Sequence, residues 1–240
     1  MPADFAQTVR ALGLVLDAEA VERFGRYRDL IAQAARRFSL TSVRDPAAIE
    51  RRHLVESLAF GLLLRGRGLL PDGARVIDIG AGAGLPGLPL KLAWPSLRLS
   101  LVESNAKKCA FLREVVRELA LTGVELLEGR AEDFGRDATH RKAYDLAVAR
   151  AVAPLPVLLE YALPLLRVGG HLAATKGSAA APELAASAAA LDALGGRLVD
   201  QLALRTPGGL TQAVLIFEKQ APTPERYPRR AGLPTKRPIV

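Results

Sequence analysis

The sequence contains a single cysteine, Cys109, among its 240 residues. One thiol can form neither an internal disulfide nor a multi-cysteine metal site, so we expect no bound metal. No run of about eighteen apolar residues occurs, because charged side chains interrupt every long hydrophobic stretch. The N-terminus also lacks a charged segment followed by an apolar one. We therefore expect neither membrane insertion nor secretion, and the composition fits a cytoplasmic protein.

Charge is unevenly distributed along the chain, whose formal net charge is +8. Residues 71–218 carry 16 basic and 16 acidic side chains, whereas residues 1–70 carry 11 against 8 and residues 219–240 carry 6 against 1. Basic flanks around a neutral centre suit a protein that holds a polyanion with its ends. A solvated basic surface that aids solubility explains the same pattern. Charge alone therefore does not decide between these interpretations.

The first seventy residues have the spacing of helices. Asp17 precedes an apolar stripe of three- and four-residue period, formed by Val21, Phe24, Tyr27, Ile31, Ala35 and Phe38. Asp45-Pro46 predicts the start of a second helix that runs to about Arg65. Glycines and a proline then interrupt the pattern. We predict a helical extension over residues 1–70, a main domain over 71–220 and a basic tail over 221–240.

From residue 75 onward, short apolar runs alternate with longer helical segments, which predicts a mostly parallel sheet covered on both faces. The predicted strands are 75–79, 97–103, 123–128, 144–149, 168–175, 197–206 and 211–218. The last two have no helix between them and should form an antiparallel hairpin around 206–210. The alanine-rich stretch 179–190 predicts an ordered helix. This arrangement resembles the Rossmann-like α/β fold of class I methyltransferases, with a seven-stranded sheet.

A glycine-rich segment, residues 78–87, follows the first predicted strand and precedes a helix. Glycines allow close approach of a ligand to backbone N–H groups at a helix start. Gly82, Gly84 and Gly87 match a dinucleotide fingerprint, and Glu103 ends the next strand, where a carboxylate can bind a ribose diol. Both NAD and S-adenosylmethionine contain that ribose, so this spacing alone leaves two cofactors open.

Three carboxylates at successive strand ends favour S-adenosylmethionine. Asp78, expected at the mouth of the loop, suits the ammonium and sulfonium charges of that cofactor and would repel a pyrophosphate. Glu103 is placed for the ribose, and Glu132, after the third strand, is placed for the adenine amine. The alternative is that these residues only cap helices or face solvent, which is plausible for one of them but improbable for all three.

The end of the fourth strand narrows the chemistry. Arg150-Ala151-Val152-Ala153-Pro154 stands where adenine-amine methyltransferases carry an Asn/Asp-Pro-Pro-aromatic sequence. Cytosine C5 methylation needs a thiolate, and Cys109 belongs to the helix after the second strand. Guanine N7 already has a free lone pair and no proton to lose, so transfer to it needs no general base. Arg150 and Lys176 are the candidates for contacting the guanine edge or a phosphate, with surface ion pairs as the alternative.

Six motifs of the chain are similar to those of the bacterial small-subunit ribosomal RNA guanine-N7 methyltransferases, the glucose-inhibited division protein B family. They are residues 40–45, 53–58, 78–90, 150–151, 176–177 and 227–230. The resemblance covers almost the whole chain, and its specific parts are the Gly-Leu-Pro-Gly run and the Tyr-Pro-Arg tail. The chain departs from the family pattern at Glu56 and at Phe38-Ser39, which leaves the role of the His53 helix open.

The resemblance implies S-adenosylmethionine as cofactor and a guanine in the decoding-region loop of 16S ribosomal RNA as substrate. Together with the residue-level argument, it gives these cofactor-binding candidates: Asp78, Gly80, Gly82, Gly84, Leu85, Glu103, Ser104, Asn105, Ala131, Glu132 and Arg150. The RNA-binding candidates are Arg44, His53, Lys176, Arg229, Arg230, Lys236 and Arg237. A lone histidine is more often a packed, hydrogen-bonded residue. The tail is expected to be disordered or laid on the surface, and it could equally serve solubility alone.

Two other functions stay open at this point. An NAD-dependent oxidoreductase could use the same glycine loop, and a non-catalytic RNA-binding assembly factor could keep the same fold. The partner expected for a methyltransferase is 16S ribosomal RNA or the small ribosomal subunit. Nothing in the sequence demands more than a monomer.

Overall fold

Two of the N-terminal helices begin after an aspartate, as the sequence predicts for Asp17 and Asp45. The computed structural model describes residues 3–205 and 211–239. Asp17 accepts a hydrogen bond from the Ala20 N–H (2.7 Å), and Asp45 accepts one from the Ala48 N–H (2.7 Å). The helices of this segment are α1 (Ala3–Ala11), α2 (Ala18–Arg37), α3 (Pro46–Ile49) and α4 (Glu56–Gly66).

The predicted second helix is continuous but not uniform. Between α3 and α4, residues Glu50–Val55 form a π-helical turn. Such turns are uncommon inside helices and are frequent at functional sites. The turn carries Arg52 and His53, and it places both residues on the wall of the largest cavity described below.

The sheet has the predicted composition, with five parallel strands followed by an antiparallel hairpin. Its strands are β1 (Arg75–Ile79), β2 (Arg98–Glu103), β3 (Val124–Glu128), β4 (Tyr144–Arg150), β5 (Leu166–Lys176), β6 (Gly196–Arg205) and β7 (Thr211–Lys219). Their spatial order is β3-β2-β1-β4-β5-β7-β6. The order reverses at β1, so ligands are expected in the crevice between the carboxyl ends of β1 and β4. The hairpin connection at 206–210 lies outside the described residues.

Helices cover both faces of this sheet. After β1 they are α5 (Gly87–Ala93), α6 (Ala106–Glu118), α7 (Ala131–Phe134), α8 (Leu155–Ala162), α9 (Ala180–Ala185) and α10 (Ala188–Leu194). The alanine-rich stretch predicted as one helix is therefore two. The break falls at Ser187, which is fully buried and whose hydroxyl donates to the Glu183 carbonyl (2.7 Å). A short tail helix, α11 (Leu233–Lys236), is the last helix of the described chain.

Alternate residues of each strand enter two separate cores. Val76 packs with the N-terminal helices, whereas Ile77 and Ile79 pack with α8 and α10 on the other face. Phe24 and Tyr27 of α2 belong to the first of these cores. The N-terminal helices thus share a core with the sheet, while the domain boundary near residue 70 stays a prediction. Within residues 3–205 and 211–239, none of the helices combines the length and the apolar character that a membrane span requires.

Candidate functional site

Two adjoining cavities lie at the carboxyl ends of the parallel strands. The larger one, about 730 Å³, is lined by residues of the π-helical turn, the glycine loop and the ends of β4 and β5. The smaller one, about 260 Å³, is lined by residues at the ends of β1, β2 and β3 and by Tyr161 and Thr235. Both include Gly80 and Val152–Pro154 in their walls. A single elongated ligand could therefore occupy both.

The glycine loop after β1 separates the larger cavity from the core. Gly80, Gly82 and Gly84 have φ values of +66°, +59° and +85°, which side chains other than glycine rarely adopt. A Cβ atom on Gly80 would lie 3.0 Å from Val152, and one on Gly84 would lie 2.3 Å from Leu88. Leu85, which is 6% exposed, completes the loop wall of the cavity. The loop therefore needs glycine both for its backbone conformation and for its close contacts.

Asp78 lies beneath this loop. It is fully buried, it lines neither cavity, and its Oδ2 accepts a hydrogen bond from the Gly87 N–H (2.8 Å) at the start of α5. Its Oδ1 has no hydrogen-bond partner among the described residues. Burial raises the pKa of Asp78 from 3.8 to about 7. Direct contact of Asp78 with a ligand stays a prediction, because the structure places this carboxylate behind the loop.

Glu103 organises the turn between β2 and α6. Its Oε2 accepts from the Gly82 N–H (3.0 Å), and its Oε1 accepts from the N–H groups of Ser104 (2.9 Å) and Asn105 (2.8 Å). The carboxylate is 7% exposed and lines the smaller cavity. A carboxylate has about four acceptor positions. Glu103 therefore holds the glycine loop and retains capacity for one further donor.

Glu132 and Ala131 form the wall of the smaller cavity that belongs to α7. Glu132 is 2% exposed, and its Oε1 accepts a hydrogen bond from the Gly232 N–H of the tail (2.8 Å). In the sequence these two residues are 100 positions apart. The smaller cavity is therefore bounded by the tail as well as by the sheet.

Arg150, at the end of β4, lines the larger cavity. One guanidinium nitrogen lies 3.6 Å from Oε2 of Glu56, and the Arg52 carbonyl and Nδ1 of His53 are 3.5 and 3.4 Å from the group. Glu56 is 5% exposed. Burial lowers the pKa of Arg150 and raises the pKa of Glu56, and each group opposes the shift of the other. This buried pair joins the N-terminal helices to the sheet.

Lys176 ends β5 on the opposite side of the same cavity. Its Nζ donates to the Ala153 carbonyl (2.5 Å) and lies 2.8 Å from Oε2 of Glu183. Glu183 also accepts from the Leu155 N–H (2.8 Å) at the start of α8. Lys176 therefore fixes the segment Val152–Pro154, which lines both cavities.

His53 is a neutral, hydrogen-bonded residue of the cavity wall. Its Nδ1 lies 3.0 Å from the Arg52 carbonyl, an acceptor, and 3.4 Å from a guanidinium nitrogen of Arg150, a donor. Its Nε2 lies 2.9 Å from the Thr41 hydroxyl, whose oxygen accepts from the Val43 N–H (3.2 Å). Burial, with the charge of Arg150 as a smaller contribution, lowers the pKa of His53 from 6.5 to about 4.

Replacing His53 with glutamine should flatten the acid dependence of stability. In the unfolded chain the imidazole takes up a proton near pH 6.5, whereas in the folded chain it does so near pH 4. The stabilisation is therefore complete above about pH 6.5 and is lost as pH falls towards 4, by at most about 3 kcal/mol. Urea denaturation of both proteins across this range measures the difference. Parallel pH profiles for the two proteins would contradict the assignment.

The chain is similar in sequence to known proteins over most of its length. Residues 20–206 match the family model described as "GidB: rRNA small subunit methyltransferase G". The chain belongs to this family. The protein named ribosomal RNA small subunit methyltransferase G from Chloroflexus aggregans is 45% identical over 233 residues, which cover 97% of this chain and 96% of that protein. The protein of the same name from Desulfitobacterium hafniense is 42% identical, and the aligned region covers 97% of this chain and 95% of that protein.

Solved structures support the fold. A structure of MtNAS in complex with MTA and tNA has a TM-score of 0.56 at 16% identity and covers 80% of this chain and 71% of that chain. TrmN from Thermus thermophilus has a TM-score of 0.51 at 22% identity, and the superposition covers 71% of this chain and 53% of TrmN. The [4+2]-cyclase SpnF has a TM-score of 0.53 at 18% identity, and the superposition covers 69% of this chain and 80% of SpnF. The class I methyltransferase fold is thus confirmed, while the cyclase shows that fold alone does not fix activity.

The matched family consists of methyltransferases, which sets aside the oxidoreductase that the glycine spacing had left open. Cys109 also has no part in the site. It is fully buried, its Sγ donates to the Glu103 carbonyl (3.3 Å), and burial raises its pKa to about 11. Such a thiol is a poor nucleophile at neutral pH.

The structure separates the RNA-binding candidates. His53 and Lys176 line the larger cavity, whereas Arg44 is exposed and lines neither cavity. In the tail, Arg230, Lys236 and Arg237 are exposed, and Arg229 is paired with the buried Glu160. Several residues that line the larger cavity were not predicted from the sequence: Arg52, Glu56, Lys108, Thr175 and Gln212. Arg52 precedes the motif at residues 53–58, and Glu56 belongs to it. Their side chains reach the cavity because of the π-helical turn.

Proposed function

We propose that this chain transfers a methyl group from S-adenosylmethionine to N7 of a guanine in the decoding-region loop of 16S ribosomal RNA. The observation that carries the proposal is the match to a ribosomal RNA methyltransferase family over residues 20–206. The two adjoining cavities supply the geometry that such a reaction needs, with one space for a nucleoside and a second, larger space where an acceptor can approach.

The residues of the smaller cavity fit the adenosine part of the cofactor. Glu103 has an acceptor position left for a ribose hydroxyl, and Glu132 offers its second oxygen for the adenine amine. The glycine loop places backbone next to the shared wall, where the methionine part would pass. Asp78 contributes a buried carboxyl group with an unpartnered oxygen behind this loop, and a cation bound in front of the loop would favour its ionised form.

The larger cavity fits a nucleotide. Four basic side chains line it, Arg52, Lys108, Arg150 and Lys176, against the acidic Glu56 and Glu183. Arginine and lysine contact phosphates, and a guanidinium can also donate to the O6 edge of guanine. We therefore assign Lys176 to the acceptor side, together with Arg150, which was a candidate for both cofactor and acceptor and lines only the larger cavity. The exposed Arg44 would contact the RNA outside the cavity.

The bound cofactor supplies an electrophilic methyl group. Guanine N7 needs no deprotonation, and the one histidine of the larger cavity, His53, has both nitrogens in hydrogen bonds to Thr41 and Arg52. The chain therefore acts by holding the two reactants in line and by excluding water. Such alignment contributes on the order of 7 to 11 kcal/mol to lowering a barrier.

The remaining expectations belong to the same proposal. The chain would act on 16S ribosomal RNA or the small ribosomal subunit, as a monomer in the cytoplasm, without metal. The segment 1–70 would be a helical extension that forms part of the acceptor cavity, 71–220 would be the catalytic domain, and 221–240 would be an appended tail.

A labelled-methyl assay tests the proposal. Small-subunit RNA and subunits from cells lacking the protein should accept label from S-adenosylmethionine, and the label should map to N7 of a single guanine. RNA binding without transfer would indicate an assembly factor. Thermal stabilisation by NADH but not by S-adenosylhomocysteine would contradict the proposal and support an oxidoreductase function instead.

A further inference from the structure

Two arginines, Arg136 and Arg141, fasten the chain after β7 to the domain. The guanidinium of Arg141, whose side chain is 8% exposed, donates to the carbonyls of Thr223 (2.9 Å) and Tyr227 (2.7 Å) in the tail. The same group donates to the Gly135 carbonyl beside α7 (2.8 Å). Arg136 donates to the Pro228 carbonyl (2.8 Å). The tail therefore lies on the surface in a defined position, which was one of the two states expected from the sequence.

A buried ion pair then holds the middle of the tail. Glu160 of α8 is fully buried, and it accepts from the Arg229 N–H (2.8 Å), from Nε (2.9 Å) and from a terminal guanidinium nitrogen (2.6 Å). A carboxylate removed from water in this way is tolerated only because it is paired and hydrogen-bonded. The adjacent Arg230 is exposed and has no ion pair with any residue of the described chain.

Past this pair the tail reaches the smaller cavity. The Gly232 N–H donates to Oε1 of Glu132, and the Thr235 hydroxyl lies 2.9 Å from the Tyr161 hydroxyl. Tyr161, Glu132 and Thr235 are three of the residues that line the cavity. The tail thus contributes Thr235 to the lining of this cavity, and through Gly232 it also fixes the carboxylate that would face the adenine amine.

We propose that residues 227–236 are the outer wall of the adenosine site, and that Arg229 is the positioning residue that holds this wall through Glu160. The inference rests on the proposed function, since it takes the smaller cavity to be the nucleoside site. It assigns Arg229 to cofactor binding rather than to an RNA phosphate. Arg230, Lys236 and Arg237 remain available for RNA.

Neighbouring arginines in the tail provide a matched experiment. Arg229→Ala and Arg230→Ala remove the same charge one residue apart, but only the first removes a contact to the domain. Calorimetric titration with S-adenosylhomocysteine and with 5′-methylthioadenosine measures the consequence. Arg229→Ala should raise both dissociation constants by about tenfold or more, and Arg230→Ala should change them by less than about twofold. The two ligands should be affected equally, because the lost wall is on the adenosine side.

A second variant guards against simple unfolding. Arg229→Ala alone leaves Glu160 buried without a counter-charge, so Arg229→Ala combined with Glu160→Gln removes both charges together. This double variant should keep a thermal transition close to that of the wild type and still bind both ligands weakly. The KM of the double variant for S-adenosylmethionine should rise while its KM for RNA stays unchanged. The single variant Arg229→Lys should bind both nucleosides more tightly than Arg229→Ala does.

Two results would overturn the inference while leaving the proposed function intact. The first is wild-type affinity for both nucleosides in the double variant. The second is equal loss of RNA affinity in Arg229→Ala and Arg230→Ala, with a reduced salt dependence and unchanged nucleoside binding. A wild-type chain that binds neither nucleoside and transfers no methyl group would instead refute the proposed function itself.

Discussion

Glu103→Ala should weaken the binding of S-adenosylhomocysteine by about a hundredfold or more, which corresponds to about 2.7 kcal/mol. The carboxylate accepts from three backbone N–H groups, those of Gly82, Ser104 and Asn105. Hydrogen bonds to a charged group contribute about 1.5–3 kcal/mol each. Alanine releases all three donors, lets the glycine loop move, and removes the acceptor proposed for the ribose. Isothermal titration of the purified variant measures the loss.

Glu128 supplies the matched control for this prediction. It ends β3 in register with Glu103, but it is exposed and forms its ion pair with Arg113. Glu128→Gln should leave the affinity within about twofold of wild type, since an exposed ion pair contributes little. Glu103→Gln should fall between the two, because its amide NH2 must face at least one backbone donor. Equal affinities in all three variants would show that Glu103 does not hold the nucleoside.

The strands could be predicted because their pattern is local. Apolar alternation placed every strand within two residues of its observed ends, and the aspartate before each N-terminal stripe marked a helix start. The direction of Asp78 follows from the same alternation. Ile77 and Ile79 enter one core, so the residue between them points to the opposite face, under α5. Strand parity therefore favoured a buried Asp78 over one at the mouth of the loop.

The tail could not be placed in this way. Arg229 meets Glu160 across 69 positions and Gly232 meets Glu132 across 100, and no periodicity links such distant segments. Composition marked the tail as basic and rich in proline, which describes an RNA-binding arm and a structural strap equally well. Only the burial of Glu160 distinguishes the two, because a carboxylate without solvent needs a cation within reach.

The π-helical turn is the other feature that local patterns did not predict. Asp45-Pro46 and the following apolar residues are compatible with one regular helix, and the sequence offers no glycine or proline inside residues 47–60 to mark a change of pitch. In the structure the turn brings Arg52, His53 and Glu56 to one wall. This is why Arg150 could be predicted as a site residue while its partner Glu56 could not.

Arg150→Ala should lower the rate of methyl transfer by about a hundredfold or more while changing the affinity for 5′-methylthioadenosine by less than about threefold. The guanidinium lines the larger cavity and not the smaller one, so its loss should affect the acceptor rather than the nucleoside. Arg150→Lys should recover little, because a single ammonium cannot reproduce a planar fork that reaches both Glu56 and the cavity. Single-turnover assays with labelled cofactor measure the rate.

Arg150→Ala could lose activity either because the RNA contact is lost or because Glu56, the buried ion-pair partner of Arg150, is left without a counter-charge. Alanine at 150 leaves the buried Glu56 with a hydrogen bond from Gln212 (3.4 Å) and the charge of Arg52, but without its ion pair, and an orphaned buried charge costs about 3–5 kcal/mol. Combining Arg150→Ala with Glu56→Gln removes both charges and should restore most of the lost stability. If Arg150 acts on the RNA, the double variant regains its thermal transition but stays inactive. Recovery of methyl transfer in the double variant would mean instead that Arg150 serves only to neutralise Glu56 and that the guanine is held by other residues.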